Sequence, residues 1–241
     1  MKFTVLILAY NYEKYVDECI QSCLNQNYND DYQVLLIDDG STDQTLSKAK
    51  NYEIDIRSIP NSGCEIAANH GINLSRGDYI VRVDADDVLL PQALQTMSEL
   101  ISGDEKRFYY SNYSVIDSYS KKIKSVKLPE FDVEEILQRG DFLATGTFYR
   151  KSDLIALGKY NEAKKNCGLE NYELIINMIK NGYQGVRHEK ELFLYRRHNN
   201  NLSSIKREMI YHHGSELLNS YGSLKYQYNQ YHPYLGKLED V

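Results

Sequence analysis

Short apolar runs alternate with helical segments through the first hundred residues, and this alternation restricts the fold more than any other feature of the chain. The apolar runs, rich in β-branched residues, span residues 3–9, 34–37, 54–59 and 79–83. Helices are predicted at residues 16–24, from a capping box at 41–44, at 65–75, and from Pro91. Strand and helix in this order favour a mostly parallel sheet with right-handed crossovers. We therefore predict an α/β, Rossmann-like fold with helices on both faces of the sheet.

The pattern changes after Gly103. Residues 108–126 alternate polar and apolar side chains around a turn at 118–121, which predicts an antiparallel hairpin. Beyond the hairpin, the sequence predicts a short helix from residue 132, a helix that ends at Asn181–Gly182, and a strand over 186–196. No flexible linker separates the parts, so we predict one compact unit. Its parts are residues 1–105, a smaller mixed half at 106–205, and a helical extension at 206–241.

The composition is that of an ordinary globular protein, with 42% hydrophobic and 26% charged residues in a chain of 241. The net charge of −6 argues against a broad basic surface, so no nucleic-acid partner is expected. The N-terminal apolar run is too short to span a bilayer, and no other segment could do so. The four cysteines fit no zinc pattern, and a cytoplasmic location is the simplest expectation. Peripheral association with the inner face of a membrane stays open.

The run Asp84-Ala85-Asp86-Asp87 lies at the exit of the fourth apolar strand. Three carboxylates over four residues repel one another unless a cation neutralises them or water solvates them. At the carboxyl edge of a sheet such side chains face the crevice where ligands bind. Hard oxygen ligands of this kind suit Mg²⁺ or Mn²⁺, which in turn hold a diphosphate. The alternative is a solvated acidic turn that only caps the following helix.

Polar residues also follow the other strands of the first half. The segment 9–12 follows the first strand and the segment 38–43 follows the second, so a parallel sheet brings both to the edge that carries Asp84. Asp38 or Asp39 could accept a hydrogen bond from a base imide or a ribose hydroxyl, although simple helix capping explains them equally well. Gly63, before the third helix, permits close backbone approach to a ligand at a helix N-terminus.

Together these motifs resemble those of the family 2 glycosyltransferases, which have the GT-A fold. The resemblance rests on residues 8–11, 37–43, 61–63 with Ala67, Ala68, Asn69 and Gly71, and 76–80 leading to 84–87. It continues more weakly through 146–150, 169–174 and 195–198, and covers residues 3–205 in all.

The resemblance implies a nucleotide-diphosphate sugar donor, a UDP-sugar in our interpretation, and Mn²⁺ or Mg²⁺ as cofactor. It assigns Asp84, Asp86 and His198 to the metal, with Asp86 as the more direct ligand. The residues that it implies for the nucleotide sugar are Ala9, Tyr10, Asn11, Asp38, Asp39, Asn61, Gly63, Asn69, Asp84 and Ala85.

The implied reaction is inverting sugar transfer to a hydroxyl of a carbohydrate, lipid-linked glycan or glycolipid acceptor. The family usually carries Glu-Asp at the start of the helix near residue 170, where the catalytic base is expected. This chain has Glu170-Asn171, and an amide cannot accept a proton at neutral pH. Glu170 or Glu173 could serve as the base, the helix could be shifted by one residue, or Glu170 could only stabilise the helix N-terminus.

Two other functions stay open at this point. The first is a module of the same fold that binds a sugar nucleotide without transferring it, which the missing aspartate at Asn171 would explain. The second is a nucleotidyltransferase, against which the absence of a glycine-rich, basic loop after the first strand argues.

Overall fold

The computed structural model describes residues 1–103, 105–139, 146–163, 165–166, 168–199, 201 and 206–220. Within these residues the strands are β1 (Phe3–Ala9), β2 (Gln33–Asp38), β3 (Asp55–Ser58), β4 (Tyr79–Asp84), β5 (Val88–Leu89), β6 (Arg107–Ile116), β7 (Lys122–Val126), β8 (Phe148–Arg150) and β9 (Gln184–Arg196). The helices are α1 (Val16–Leu24), α2 (Thr45–Ala49), α3 (Cys64–Leu74), α4 (Ala93–Leu100), α5 (Val133–Arg139), α6 (Lys151–Ala156), α7 (Glu170–Lys180) and α8 (Arg207–Ser220).

All nine strands belong to one sheet, in the order β3-β2-β1-β4-β8-β6-β9-β5, with β7 paired to β6. The pairs β1–β2, β1–β4 and β2–β3 are all parallel, as the alternation of strand and helix predicts. In the second half β8 runs antiparallel to both β4 and β6, whereas β6 and β9 are parallel. The mixed α/β fold with a mostly parallel first half is therefore confirmed.

Apolar residues on the two faces of the sheet form two cores. The core on one face includes the apolar stripes of α1 and α4, where Cys19 and Cys23 are fully buried as small core residues. On the other face, α3, α5, α7 and α8 contribute residues to the second core. Both faces of the central strands are thus covered, and their apolar runs are continuous for that reason.

The hairpin predicted over residues 108–126 is present as β6 and β7. Two strands, β5 and β8, were not predicted, because runs of two and three residues carry no readable period. The predicted capping box is wrong in detail. Helix α2 begins at Thr45, and the Thr45 backbone N–H donates to Asp43 Oδ1 at 2.9 Å. The Ser41 hydroxyl instead accepts from the Asn11 backbone N–H in the loop after β1.

The sheet continues across residue 105 through the pairing of β4 with β8, so the two predicted halves share one framework. The division into three parts stays a prediction, and residues 221–241 of the extension lie outside the described residues. No helix in the described part of the chain is long and apolar enough to cross a membrane.

Candidate active site

Four loops meet at the carboxyl edge of the parallel strands. Because β1 lies between β2 and β4, the loops after these three strands are neighbours. The backbone N–H of Asp39 donates to the Ala9 carbonyl at 2.8 Å, and that of Ala85 donates to the Leu8 carbonyl at 3.0 Å. The predicted convergence of segments 9–12, 38–43 and 84–87 is therefore present in the fold.

Asp38 and Asp39 are both buried and both hold loops. Asp38 Oδ2 accepts from the Ser58 hydroxyl at 2.8 Å. The Asp39 carboxylate accepts from the backbone N–H groups of Ser62 and Gly63, at 2.7 and 2.9 Å. Asp39 thus shapes the turn before α3, which is the fourth loop of the edge. Asp38 Oδ1 also accepts from the Ser41 backbone N–H at 3.3 Å. A carboxylate has about four acceptor positions, so these contacts do not exhaust either residue, but Asp38 is 0% exposed and Asp39 is 6% exposed.

Asn11 joins the first loop to the second. It adopts a positive φ of 60°, uncommon for a residue with a side chain. Its backbone N–H donates to Ser41 Oγ at 3.0 Å, and its Oδ1 accepts from the Thr42 backbone N–H at 2.8 Å. Beside it, Tyr10 is 44% exposed and directly follows the end of β1.

Gly63 begins the turn before α3 with φ of +101°, which glycine adopts without strain. Asn61 is exposed in the same loop. Asn69, by contrast, lies inside the protein: its Nδ2 donates to the Tyr160 carbonyl at 2.9 Å, and its Oδ1 accepts from the Tyr160 backbone N–H at 3.0 Å. These contacts give Asn69 a role in joining α3 to the second half.

The Asp86 carboxylate is surrounded by polar and aromatic side chains. Its Oδ2 is 3.0 Å from His198 Nε2 and accepts from Asn201 Nδ2 at 3.2 Å. The His198 ring stacks on Tyr15 with a centroid distance of 5.0 Å, and Tyr12 meets it edge to face at 6.5 Å. The imidazole therefore has a fixed orientation towards the acidic turn.

Burial raises the pKa of Asp86, and the nearby Asp84 carboxylate raises it further, while the contact with His198 opposes the shift. Carboxylate oxygens suit Mg²⁺ and Mn²⁺, and a neighbouring imidazole is more compatible with Mn²⁺. The chemistry of Asp86 and His198 therefore fits a divalent cation. The third predicted metal residue, Asp84, is directed to a different partner.

That partner is Arg82, an 8% exposed residue within the apolar strand β4. Its Nε and Nη2 lie 3.0 and 2.9 Å from Asp84 Oδ1. Its Nη1 donates to Glu170 Oε1 at 3.0 Å and lies 3.5 Å from Asn171 Oδ1. One guanidinium thus joins the acidic turn to the N-terminus of α7, where the catalytic base was predicted.

Glu170 and Asn171 are each 7% exposed. The second oxygen of Glu170, Oε2, is buried with no hydrogen-bond partner among the described residues. Burial raises the pKa of Tyr160 to about 12, so its hydroxyl keeps its proton, and it donates to Asn171 Oδ1 at 3.1 Å. Glu173, one turn along α7, accepts from Asn161 Nδ2 at 2.9 Å near the surface.

A thiol and a second carboxylate, both from the start of α3, lie next to Glu170. Among the described residues, ligand atoms of Cys64, Glu65 and Glu170 are within 4.8 Å of one another. Glu65 Oε2 accepts from the Asn166 backbone N–H at 2.8 Å. Burial raises the pKa of the Cys64 thiol, and Glu170 adds to the shift.

Arg196, 1% exposed, supports the acidic turn from β9. Its Nε donates to the Asp86 carbonyl at 2.6 Å, and its backbone N–H donates to Asp87 Oδ1 at 2.8 Å. Its Nη2 pairs with Glu18 on α1 at 2.7 Å, and its Nη1 donates to Ser120 Oγ at 2.9 Å in the hairpin turn. Arg196 therefore fixes the turn against α1 and the hairpin.

The sequence motifs missed Arg82, Asn201, Tyr15 and Tyr160, whereas Tyr12 and Arg196 lie within the predicted segments 9–12 and 195–198 but were given no role of their own. Arg82 gave a readable signal, because a charged residue stands within an otherwise apolar strand that leads into an acidic run. Asn201 and Tyr160 gave none, since their importance depends on contacts between distant parts of the chain.

Sequence comparison agrees with this architecture. The profile described as "Glycosyl transferase family 2" matches residues 4–158, well over half of the chain. The protein therefore belongs to this family of glycosyltransferases. It is 28% identical over 221 residues to the uncharacterized glycosyltransferase MJ1057 of Methanocaldococcus jannaschii, with 86% of this chain and 76% of that protein covered.

Solved structures of S. aureus TarS share the fold. The complex of TarS 1-349 with UDP-GlcNAc matches with a TM-score of 0.73 at 19% identity, covering 97% of this chain and 69% of that one. The complex with UDP matches with a TM-score of 0.66 at 18% identity, covering 95% and 73%. The fold is thus GT-A, as the sequence motifs predicted.

Proposed function

We propose that this protein is an inverting glycosyltransferase that moves a sugar from a UDP-sugar donor to an acceptor hydroxyl. The observation that carries the proposal is the link from Asp84 through Arg82 to Glu170, which joins the acidic turn to the N-terminus of α7. The proposal is further supported by family membership and by the UDP and UDP-GlcNAc complexes of TarS.

The nucleoside is proposed to bind across the loops after β1, β2 and β3. Asp38 or Asp39 would accept from the uracil imide or the ribose, and Tyr10 is exposed at the same edge. The backbone of Ala9 and Asn11 and the turn at Asn61 and Gly63 complete this surface. Ala85, buried within the acidic turn, and Asn69, inside the fold, would act by shaping the site.

A divalent cation, Mn²⁺ in our proposal, would be held mainly by Asp86, with His198 beside it and Asp84 nearby. When bound, such a cation supplies charge stabilisation to a departing diphosphate. The protein's own contribution is to hold Asp86 in a fixed direction, through Asn201 on its carboxylate and Arg196 on its carbonyl.

The chemical step needs a base beside the acceptor hydroxyl. As that hydroxyl oxygen attacks the anomeric carbon, its proton passes to a carboxylate, and the bond from the anomeric carbon to the diphosphate breaks with its electron pair leaving on oxygen. Glu170 is the candidate closest to the acidic turn, and Glu173 is the next carboxylate of α7. Glu170 Oε2 is buried, so the acceptor hydroxyl can reach it only if side chains around the N-terminus of α7 move aside.

One observation favours a second candidate function. Arg82 forms an ion pair with Glu170, and Asn171 cannot take a proton, so both positions of the expected base are altered. A module that binds a sugar nucleotide without transferring it would have such a site. Nothing in the site or the comparisons favours a nucleotidyltransferase.

The acceptor is proposed to be a carbohydrate or glycolipid that enters from the side of the second half. A location in the cytoplasm, at the inner face of a membrane when the acceptor is lipid-linked, remains part of this proposal.

A thermal-shift screen of UDP, GDP, TDP and CDP and their sugars, with and without Mn²⁺, tests the proposal. We expect the largest stabilisation from a UDP-sugar with Mn²⁺. Since thymine presents the same imide edge as uracil, TDP is the expected second ligand. A clear preference for GDP, or no stabilisation by any nucleotide, would contradict the donor assignment.

A further inference from the structure

Arg82 is a charged side chain in an unusual place, since it projects from the central strand β4 and is 8% exposed. Burial of an isolated charge is costly, so a buried arginine needs partners of opposite charge. Arg82 has two such partners from distant parts of the chain, Asp84 at 2.9 Å and Glu170 at 3.0 Å. The Tyr160 ring faces the guanidinium, with 5.8 Å between Arg82 Cζ and the ring centroid.

The geometry of these contacts is directional. Nε and Nη2 both point to a single oxygen of Asp84, whereas Nη1 points to α7. A planar guanidinium keeps such directions fixed, which a lysine ammonium cannot do. The separation between the Asp84 and Glu170 carboxylates is therefore set by one rigid group.

We propose that Arg82 is a positioning residue that couples the metal-binding edge to the catalytic helix, and that it serves as the built-in counter-charge of Asp84. This inference rests on the proposed function for its catalytic part, because it assigns Glu170 to the reaction. Its electrostatic part concerns the affinity of the protein for a cation alone.

The electrostatic consequence has a definite sign. The guanidinium cancels much of the negative charge of Asp84, so it lowers the attraction of the acidic turn for a divalent cation. Replacement of Arg82 by methionine removes this positive charge while keeping an unbranched side chain. Mn²⁺ should then bind about fivefold more tightly in the absence of nucleotide, because the guanidinium beside Asp84 has the same sign of charge as the cation and is no longer present.

The catalytic consequence is coupling between Arg82 and Glu170. If Arg82 acts by orienting Glu170, its loss and the loss of the Glu170 carboxylate remove the same contribution. The rate of the double variant should then be close to that of the slower single variant, because effects within one unit do not multiply.

The experiment uses the full chain and the variants R82M, R82K, E170Q and R82M/E170Q. R76M is the matched control, because the Arg76 side chain is 59% exposed and pairs with Asp55 on the surface. The affinity for Mn²⁺ alone is measured by electron paramagnetic resonance of the free ion. The rate of UDP release from UDP-GlcNAc with Mn²⁺ is measured in parallel.

We expect R82M to bind Mn²⁺ about fivefold more tightly and to release UDP at least about tenfold more slowly, while R76M matches the parent protein. R82K should restore the parent affinity for Mn²⁺ but not the parent rate. If R82M does not fold, the Mn²⁺ measurement is made on R82M/E170Q, which also removes the Glu170 carboxylate that R82M leaves buried without its ion pair.

Unchanged Mn²⁺ affinity in R82M, or rate losses of R82M and E170Q that multiply in the double variant, would overturn the assignment of Arg82. A parent protein that releases no UDP from any UDP-sugar in the presence of a broad set of carbohydrate acceptors would instead contradict the proposed function. In that case the Mn²⁺ titration still decides the electrostatic role of Arg82.

Discussion

Each carboxylate of the acidic turn has a partner of its own. Asp84 is paired with Arg82, Asp86 contacts His198 and Asn201, and Asp87 accepts the Arg196 backbone N–H. The sequence left two explanations for this run, a bound cation or solvation by water. The protein's own hydrogen-bond donors provide a third explanation, because they contact all three carboxylates of the turn. The Asp86 carboxylate still has the ligand chemistry that fits a metal.

Replacement of Asp86 by alanine tests the metal assignment at the level of one side chain. We expect Asp86→Ala to lose most of the gain in UDP affinity that Mn²⁺ provides. The fold should be retained, because burial and Asp84 already raise the pKa of this carboxyl, and its removal relieves repulsion. Calorimetric titration of UDP with and without Mn²⁺ measures the effect, with Asp31→Ala on the exposed loop as control. Equal Mn²⁺ dependence in the parent and in Asp86→Ala would refute the assignment.

Replacement of Glu170 by glutamine tests the catalytic base. A positioned general base contributes roughly 10²–10⁴-fold in rate, so Glu170→Gln should lower turnover by about that factor with little change in UDP affinity. Glu173→Gln, which alters the carboxylate near the surface on the same helix, is the matched control and should stay close to the parent rate. If instead Glu173→Gln is the slow variant, the base is Glu173 and Glu170 serves only to hold Arg82.

At the scale of elements, β9 holds the site together. It carries Arg196 against the acidic turn, α1 and the hairpin, and it leads directly into His198. Its parallel pairing with β6 over most of its length gives this strand a fixed position. The hairpin turn and the acidic turn are therefore both held to the C-terminal end of β9.

Loss of the Arg196 side chain should loosen this arrangement. Arg196→Met removes the donors to the Asp86 carbonyl and to Ser120, and it leaves Glu18 without its ion pair. Because the Glu18 side chain is 43% exposed and can be hydrated, we expect a loss of about 2–3 kcal/mol rather than the larger cost of a fully buried pair. Thermal and urea unfolding measure it, and Arg197→Met, next along the chain, is the control. A variant as stable as the parent, with unchanged UDP affinity, would show that β9 does not support the turn in this way.

The hairpin is also tied to β9 by Glu191, and this tie depends on pH. A hydrogen bond from Ser114 holds the pKa of Glu191 below its usual value, and bonds from Ser125 and Lys122 lower it further. A folded-state pKa below the unfolded one means stability that is present above about pH 4.5 and is lost as pH falls through the folded value. Glu191→Gln should thus be less stable than the parent at pH 7, by less than about 1 kcal/mol, and should approach it near pH 3. Melting curves at both pH values check this, and a difference that grows on acidification would contradict it.

At the scale of the whole molecule, one sheet carries both parts of the site. The first half supplies the loops after β1 to β4, and the second half supplies α7 and the segment after β9. Periodicity predicted the parallel order of the first half because its strands and helices are long enough to show a pattern. The motifs at strand ends predicted which loops converge, because parallel strands end at the same edge.

The remaining features depend on contacts that no local pattern encodes. Arg82 and Glu170 are far apart in sequence and meet only because β4 and α7 pack together. Asn69 matched a family motif, yet its amide is used inside the fold by Tyr160. The partners of a polar side chain are set by the tertiary fold, whereas its place on a strand or loop follows from the local sequence.

The release of nucleoside diphosphate from a sugar donor is the most direct measure of whether this protein transfers a sugar. The parent protein, Asp86→Ala and Glu170→Gln are each incubated with UDP-, GDP- and TDP-sugars, with and without Mn²⁺, and free nucleoside diphosphate is measured over time. We expect Mn²⁺-dependent release of UDP by the parent. Asp86→Ala should lose this release because it binds the donor weakly, and Glu170→Gln should lose it because the chemical step is slow. Tight binding of UDP-sugars by the parent, with no release from any donor in the presence of a broad set of carbohydrate acceptors, would contradict transfer.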